Sequence, residues 1–244
     1  MKQEIFEIIS NERIAEGIYL LRMAGDTSAI TAPGQFVNLK LDGVYLRRPI
    51  SVCDWAEGEL TLIYKVLGRG TEAMTAYPAG KKLDVLTGLG NGYDMSKSGE
   101  APLLIGGGVG IPPLYGLAKR LIALGKQPRA ILGFNSAADL FYVSEFEALG
   151  IPVTVTSADG SVGKKGFVTD AMADAGEYSY LYTCGPEAML KAVYAAAQSS
   201  GQFSFEERMG CGFGACMGCT CKTKYGNKRI CKDGPVLEKE EIVW

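Results

Sequence analysis

The architecture of this 244-residue chain can be read from the segment Leu103-Leu104-Ile105-Gly106-Gly107-Gly108-Val109-Gly110. Its leading apolar residues predict a buried strand, and its glycines predict a turn into an apolar helix from about Ile111 to Leu124. A strand, a glycine turn and a helix in this order can hold a phosphate at the helix N-terminus. The segment departs from the dinucleotide fingerprint G-x-G-x-x-G, because Ile111 occupies the third glycine position. A tight turn without a ligand is therefore the alternative.

Downstream of this segment, strands alternate with helical patterns. The further predicted strands are Ala130 to Phe134, Val153 to Thr156 and Tyr180 to Cys184. Such alternation predicts a parallel sheet covered by helices. The last strand runs into Thr183-Cys184-Gly185-Pro186, where Pro186 suits the first turn of a helix. Ligands of open parallel sheets bind at the carboxyl ends of the strands, so both turns are expected to face one crevice. The alternative for Cys184 is a buried apolar residue.

Upstream, residues 1 to about 95 show an all-β pattern with Gly and Pro turns between short alternating runs. The predicted strands are Glu4–Ile9, Gly17–Met23, Gln35–Lys40, Tyr45–Val52 and Glu59–Val66. Strands of this length and spacing predict a small antiparallel barrel. One helix, from about Thr71 to Tyr77, interrupts them. The polar stretch Ser96–Glu100 predicts a linker to the parallel sheet.

The barrel contains residues that suit a pyrophosphate. In Leu46-Arg47-Arg48-Pro49-Ile50-Ser51, the guanidinium of Arg48 can grip a pyrophosphate bidentately. The hydroxyl of Ser51 can hydrogen-bond a planar ring system. Gly70 and Thr71 offer backbone N–H groups to the same pyrophosphate. The alternative for Arg48 is a surface ion pair.

Four cysteines near the C-terminus, Cys211, Cys216, Cys219 and Cys231, have the spacing C-x4-C-x2-C-x11-C. This spacing is that of plant-type 2Fe–2S ligands. The chain contains no histidine, which excludes Rieske ligation, histidine-containing zinc sites and a histidine general base. Zinc held by four thiolates is the alternative, although zinc ribbons usually pair two C-x2-C knuckles. Cys221 is interpreted as a neighbour of the cluster rather than a ligand.

A hairpin is predicted to return Cys231 towards Cys219. Its strands are expected at Lys222 to Tyr225 and Lys228 to Cys231, with Gly226-Asn227 as the two-residue turn. The hairpin is basic, through Lys222, Lys224, Lys228, Arg229 and Lys232. These residues indicate either a solvated face or a docking surface for a redox partner.

Composition limits the remaining possibilities. The length allows one large domain or two medium domains with a small appendage. A net charge of −2 argues against a nucleic-acid partner. No apolar run approaches the length of about 18 residues that a membrane span requires. Seven cysteines, four of them in one metal-type group, favour a reducing cytoplasm over a disulfide scaffold.

The order of these motifs resembles the ferredoxin reductase-like flavoprotein superfamily. The superfamily pattern Arg-x-Tyr-Ser is present as Arg48-Pro49-Ile50-Ser51, with Ile50 in place of the aromatic residue. The segment from Ser204 to Cys216 closely resembles the electron-transfer subunit family of dihydroorotate dehydrogenase B. Pro33-Gly34-Gln35-Phe36 and Gly90-Asn91-Gly92 extend this resemblance over essentially the whole chain. The departure at Ile50 weakens any expectation of an aromatic stack on a flavin there.

The resemblance implies an FAD-binding barrel (residues 1–97), an NAD-binding α/β domain (98–205) and a 2Fe–2S segment (206–244). The implied FAD residues are Arg48, Pro49, Ile50, Ser51, Ile63, Tyr64, Lys65, Gly70 and Thr71. The implied NAD residues are Gly107, Gly108, Gly110, Cys184, Gly185 and Pro186, with Cys184 near the hydride-transfer position as the candidate catalytic residue. Cys211, Cys216, Cys219 and Cys231 would hold the cluster.

The implied function is electron transfer between NADH, FAD and the cluster, to or from the FMN of a separate dihydroorotate dehydrogenase catalytic subunit. A heterotetramer of two copies of each chain is expected, without nucleic acid or membrane. NADH is favoured over NADPH because residues 133–139 contain no arginine for a 2′-phosphate. Two alternatives are a reductase arm for a ferredoxin, hydrogenase or sulfur-reducing partner, and a zinc-containing nucleotide-binding regulatory module.

Overall fold

The N-terminal part of the chain closes into a six-stranded antiparallel barrel, in a computed structural model that describes all 244 residues. Its strands are β1 (Lys2–Ala15), β2 (Ile18–Ala24), β3 (Phe36–Leu39), β4 (Arg48–Ala56), β5 (Glu59–Lys65) and β6 (Lys82–Leu89). They follow the order β1-β2-β5-β4-β3-β6 around the barrel. The helix α1 (Arg69–Met74) lies between β5 and β6. The predicted antiparallel barrel is confirmed.

Strand β3 shows which side of the barrel meets the rest of the molecule. Val37 and Leu39 point into the barrel core, whereas Phe36 belongs to a second core shared with the sheet and the cysteine segment. Side chains alternate between the two faces of a strand, so Asn38 shares the outer face with Phe36. The outer face of this strand is therefore an interdomain surface.

The predicted parallel sheet is also confirmed, and it is larger than the sequence pattern indicated. Its strands are β7 (Leu103–Gly107), β8 (Arg129–Phe134), β9 (Val153–Ser157), β10 (Lys164–Lys165), β11 (Leu181–Cys184), β12 (Gly201–Ser204) and, from the end of the chain, β15 (Val236–Glu238). The order is β10-β9-β8-β7-β11-β12-β15, and only β15 is antiparallel to its neighbour. The C-terminal cysteine segment thus supplies the edge strand of this seven-stranded sheet.

Helices cover this sheet. They are α2 (Ile111–Ala123), α3 (Val143–Ala148), α4 (Val168–Met172) and α5 (Glu187–Ala196), and 3₁₀ turns lie at Met95–Lys97, Gly108–Gly110, Ala137–Asp139 and Lys239–Glu241. Helix α2 packs on the barrel, where a Cβ at Gly116 would lie 2.5 Å from the carbonyl oxygen of Cys53. The guanidinium of Arg120 stacks 3.3 Å above the ring of Trp55. These contacts join the barrel to the sheet.

The predicted hairpin exists, but its predicted turn is wrong. Its strands are β13 (Thr220–Thr223) and β14 (Gly226–Arg229), so Gly226-Asn227 starts a strand and the turn lies at Lys224-Tyr225. The hydroxyl of Thr223 fixes this turn, because it accepts from the N–H of Tyr225 and donates to the carbonyl of Gly226. Cys231 is not in a strand but in the short helix α6 (Ile230–Asp233).

Two smaller differences concern element ends. The strand predicted from Tyr45 begins at Arg48, since Tyr45 and Leu46 lie in an exposed loop. The helix predicted over Thr71 to Tyr77 spans Arg69–Met74. The side-chain amide of Asn11 donates to the Met74 carbonyl at 2.7 Å, which satisfies one end of that helix. No helix of the chain is long and apolar enough to cross a membrane.

Candidate functional site

Arg48 and Gly70, predicted to serve one pyrophosphate, lie in contact. A Cβ at Gly70 would be 2.6 Å from Nε of Arg48, so the guanidinium covers a position that only glycine can occupy without displacing it. Nη1 of Arg48 donates to the carbonyl of Leu46 at 2.6 Å. Arg48 forms no ion pair with an acidic side chain, which leaves its charge available to an anion.

Pro49 and Ser51 lie on the outer face of strand β4, directly opposite Asn38 and Phe36 of β3. Cross-strand partners share a face of the sheet, so these four residues form one surface outside the barrel core. Ile50 points the other way and packs against the barrel core. Where the superfamily pattern has an aromatic residue, this chain therefore has an isoleucine that packs against the barrel core.

The predicted trio on strand β5 divides between different environments. Ile63 belongs to the core that joins the barrel to the sheet, whereas the ring of Tyr64 is buried inside the barrel. The hydroxyl of Tyr64 donates to Oδ1 of Asn11 at 3.1 Å. Lys65 is exposed. The side chain of Tyr64 is thus enclosed in the barrel and does not face a cofactor.

The two turns at the carboxyl ends of β7 and β11 meet, as predicted. A Cβ at Gly110 would lie 2.3 Å from the carbonyl oxygen of Cys184, and one at Gly107 would lie 2.5 Å from Sδ of Met189. Gly108, by contrast, has open space around it and a φ of +51°. Gly185 also packs against Met189, which the sequence patterns did not indicate. Pro186 is the residue immediately before α5 rather than part of its first turn.

Cys184 is half-buried beside this crevice. Burial raises the pKa of its thiol to about 12, so the thiol is neutral at physiological pH. It lies opposite Ser204 in the register of β11 and β12. The buried hydroxyl of Tyr93 donates to the carbonyl of Thr183 at 3.1 Å. The side chain at this position is thus a neutral, half-buried thiol.

The four predicted ligand cysteines form two pairs. The N–H of Cys211 points to Sγ of Cys216 at 3.4 Å, and the N–H groups of Ala215 and Cys216 point to Sγ of Cys211 at 3.3 and 3.4 Å. The N–H of Cys231 points to Sγ of Cys219 at 3.3 Å. Gly212 and Gly214 have φ values of +78° and +92°, which lets the loop wrap around these sulfurs.

The electrostatics of the ligand cysteines differ, and they favour a thiolate at Cys211. Burial opposes ionisation of Cys211, but the backbone N–H groups of Cys216, Phe213 and Ala215 outweigh it and lower the pKa of Cys211 to about 6. Burial and the neighbouring Cys219 raise the pKa of Cys231 to about 12. A metal must therefore displace the proton of Cys231 when it binds.

The pairing fits a binuclear cluster better than a single ion. No three His, Cys, Asp or Glu side chains converge on one position that could hold a metal ion. A tetrahedral zinc site needs four ligands around one point. In a 2Fe–2S cluster, each iron takes two protein ligands, which matches the pairs Cys211/Cys216 and Cys219/Cys231. Cys221 lies on β13, outside both pairs, and burial raises its pKa.

Two asparagines join the barrel to the cysteine segment, and the sequence patterns assigned this role to neither of them. Asn91 donates to the carbonyls of Asp233 and Val236 and accepts from the N–H of Val236, at 3.0–3.1 Å. Asn38 donates from Nδ2 to the carbonyl of Cys211 at 3.3 Å. Asn38 is buried and Asn91 is exposed, and the main-chain partners of both in a distant segment are visible only in the folded chain.

A closed antiparallel barrel, a parallel sheet with glycine turns and a paired four-cysteine loop define an iron–sulfur reductase of the ferredoxin reductase-like class. Two family models match the chain: the iron–sulfur cluster binding domain of dihydroorotate dehydrogenase B over residues 206–243, and the oxidoreductase NAD-binding domain over residues 104–195. The chain belongs to the family of dihydroorotate dehydrogenase B (NAD(+)) electron transfer subunits.

Full-length relatives establish this membership. The chain is 41% identical to the dihydroorotate dehydrogenase B electron transfer subunit of Shouchella clausii, over 99% of this chain and 98% of that protein. It is 42% identical to the subunit of the same name from Lysinibacillus sphaericus, over 99% of both chains.

Solved structures support the same fold. An NADH-dependent reduced ferredoxin-NADP oxidoreductase matches with a TM-score of 0.89 and 32% identity, over 98% of this chain and 90% of that chain. The cytochrome b5 reductase domain of Ulva prolifera nitrate reductase matches with a TM-score of 0.65 and 19% identity, over 78% of this chain and 89% of that chain. The second likeness concerns the fold alone.

Proposed function

We propose that this chain passes electrons between NADH, a bound FAD and a 2Fe–2S cluster, to or from the FMN of a separate dihydroorotate dehydrogenase catalytic subunit that interconverts dihydroorotate and orotate. The observation that carries the proposal is the apolar core that the barrel, the parallel sheet and the cysteine segment share. Phe36, which shares the outer face of the barrel with Pro49 and Ser51, lies in one apolar core with Cys219 and Cys231.

On the barrel, Arg48 neutralises the FAD pyrophosphate and Ser51 hydrogen-bonds the flavin edge. Gly70 leaves the space that the guanidinium fills, and Thr71 holds the loop before α1, since its hydroxyl accepts from the N–H of Leu67 at 2.9 Å. Pro49, Ile50, Ile63, Tyr64 and Lys65 complete the FAD site through their backbones and the outer faces of their strands.

In the crevice, Gly107, Gly108 and Gly110 admit the nicotinamide nucleotide, and Gly185 and Pro186 shape the opposite wall. Cys184 packs near the hydride-transfer position as a neutral thiol. When bound, a flavin joins the two-electron chemistry of a nicotinamide to the one-electron chemistry of an iron–sulfur cluster. No side-chain acid or base is needed for the hydride step, which agrees with a chain that lacks histidine.

The partner is proposed to dock beside the cluster. Phe213, Met217 and Tyr225 are exposed apolar residues around the cysteine loop and the hairpin. Lys228 and Arg229 are paired with Glu241 and Asp233. The remaining hairpin lysines, Lys222, Lys224 and Lys232, form no ion pair and give this surface a positive charge. We propose a heterotetramer with two copies of each subunit.

Three narrower proposals accompany this function. NADH is preferred to NADPH, because the turn after β8 contains no arginine. The division into residues 1–97, 98–205 and 206–244 marks the FAD, NAD and cluster regions. A cytoplasmic location agrees with seven free cysteines.

A reductase arm for another electron carrier is the second candidate. The likeness to an NADH-dependent reduced ferredoxin-NADP oxidoreductase, over almost the whole chain, favours it. The same three sites would serve such a protein, and only the partner would differ.

The deciding experiment is the visible spectrum of the anaerobically purified chain before and after NADH is added. Flavin bands with an iron–sulfur shoulder that bleach with NADH would support the electron path. Orotate-dependent turnover with the catalytic subunit, compared with reduction of ferredoxin, then separates the two candidates. A colourless protein that carries zinc after reconstitution with iron, sulfide and FAD would overturn both.

A further inference from the structure

Asn38 lies where the flavin surface of the barrel meets the cysteine loop. It is 1% exposed and occupies the outer face of β3, directly opposite Pro49 of the proposed FAD segment. Its Nδ2 donates to the carbonyl of Cys211, 173 residues further along the chain, at 3.3 Å. One side chain thus contacts both regions.

The contact with the loop is close on both sides. A Cβ at Gly212 would lie 2.3 Å from Nδ2 of Asn38, so the loop can approach the amide only because residue 212 has no side chain. The main chain of Asn38 is held in turn, since Arg47 donates to its carbonyl at 3.3 Å and pairs with Asp84. The backbone of residue 38 is therefore anchored to the barrel, and the side-chain amide extends from it to the cysteine loop.

The acceptor atom of the same amide has no partner. Oδ1 of Asn38 is buried and makes no hydrogen bond within the chain. An asparagine that served only to support the fold would be expected to satisfy both ends of its amide, because an unpaired buried carbonyl is costly. The residue in register with Asn38 on the neighbouring strand is Pro49 of the proposed FAD segment, and a flavin bound beside it could supply a hydroxyl or N–H donor to this acceptor.

We propose that Asn38 is a positioning residue that fixes the cluster-binding loop against the flavin and so sets the rate of electron transfer between the two cofactors. This inference rests on the proposed electron path and deepens it. Asn38 exchanges no proton or electron itself. It holds the main chain of a cluster ligand, Cys211, at a fixed place relative to the barrel strand that carries the FAD segment.

The test uses the full chain, loaded with FAD and cluster, and the nearly isosteric variant Asn38→Leu. Rapid anaerobic mixing with NADH follows flavin bleaching and cluster reduction separately, and EPR records the dithionite-reduced cluster. We expect flavin bleaching at the wild-type rate, an altered EPR spectrum and cluster reduction slower by about tenfold or more, since small displacements remote from the chemistry can cost this much. Thr27→Val, which removes a buried hydroxyl bonded to the Ala56 carbonyl elsewhere on the barrel, is the matched control.

Cluster reduction at the wild-type rate with an unchanged EPR spectrum would overturn the proposal. Equal loss of flavin and cluster in Asn38→Leu would also overturn it, because Asn38 would then support the barrel in general. If Asn38→Leu does not fold, Gly212→Ala decides, because its Cβ disturbs the same contact from the loop. Gly58→Ala, in the barrel, has the same φ of +78° and open space around its Cβ, so it controls for backbone strain and should leave the EPR spectrum unchanged. Absence of flavin bleaching in the wild type would refute the proposed function, whereas the EPR comparison would still test Asn38.

Discussion

The guanidinium of Arg48 lies directly over Gly70, with Nε 2.6 Å from the point where a Cβ of residue 70 would be. Two segments separated by the whole of strand β5 are thereby brought to one place. The geometry makes the cation and the glycine a single unit, since a side chain at residue 70 would push the guanidinium away.

We expect Arg48→Ala and Gly70→Ala both to weaken FAD binding. Charged hydrogen bonds are worth about 1.5–3 kcal/mol, so the FAD dissociation constant should rise about tenfold to a hundredfold in Arg48→Ala. Fluorescence of released flavin during dilution measures it. Arg22→Ala, which breaks an exposed pair with Glu59 on the same barrel, is the control and should leave the constant unchanged. Equal FAD affinity in Arg48→Ala and the control would contradict the assignment.

Gly110→Ala should both raise the apparent KM for NADH and lower the free energy of unfolding. Its Cβ would lie 2.3 Å from the main-chain carbonyl of Cys184, which cannot move aside as a flexible side chain can. Overpacking of this kind lowers the free energy of unfolding by about 1–3 kcal/mol. The apparent KM for NADH in flavin bleaching should rise together with this loss.

Gly125→Ala provides the comparison for that variant. Gly125 has a φ of +76° and open space around it at the end of α2, so alanine costs about 1–2 kcal/mol of backbone strain without a clash. Stability should fall while the KM for NADH stays constant. An increase of KM in both variants would show that stability alone controls NADH binding.

Ionisation of the Cys184 thiol should not affect the rate of hydride transfer between pH 6 and pH 8. Burial raises its pKa from 9.0 to about 12, so the folded chain keeps the proton where the unfolded chain loses it. The stability contributed by this group is complete below pH 9 and is lost as the pH rises towards 12. Flavin bleaching by NADH, measured from pH 6 to pH 8, should give parallel profiles for the wild type and Cys184→Ala. A step in the wild-type profile alone would assign the thiol a role in proton transfer.

Serine substitution should distinguish the four cluster ligands from the neighbouring Cys221. Cys211→Ser, Cys216→Ser, Cys219→Ser and Cys231→Ser should each lower the iron content and remove the reduced-cluster EPR signal, because thiolates are the ligands such clusters require. Cys221→Ser should retain both, since its sulfur lies outside the two pairs. Loss of iron in Cys221→Ser, with retention in Cys219→Ser, would reverse the assignment within this segment.

The sequence predicted those parts of the molecule that local pattern and chemistry determine. Leu103 to Gly110 predicted the strand and turn of the sheet, and the cysteine spacing indicated the segment that matches the iron–sulfur cluster binding domain. The turn of the hairpin was misplaced because Gly226-Asn227 is a strong hairpin signal. The hydroxyl of Thr223 satisfies the preceding turn instead, and this side-chain contact overrides the local preference.

The connections between regions could not be predicted. Val236–Glu238 is a three-residue strand without a distinctive pattern, and only the neighbouring edge of β12 makes it one. Asn38 belongs to no sequence motif, and Asn91 was noted only within Gly90-Asn91-Gly92; the partners of both lie more than a hundred positions away. Met189 was missed for the same reason, since its contact with Gly107 depends on how helix and turn pack.

The antiparallel strand Val236–Glu238 also constrains how the protein matures. During synthesis, strand Gly201–Ser204 of the parallel sheet has an unpaired edge until residues 236–238 have been made. These residues follow all four ligand cysteines in the chain. Unpaired strand edges invite aberrant association between chains. Completion of the sheet and closure of the cysteine loop are thus coupled to the same final stretch of polypeptide. A chain shortened before this strand would keep all four ligand cysteines. It would lose the edge protection of the sheet and the ion pair between Lys228 of the hairpin and Glu241, so it is expected to fold less faithfully.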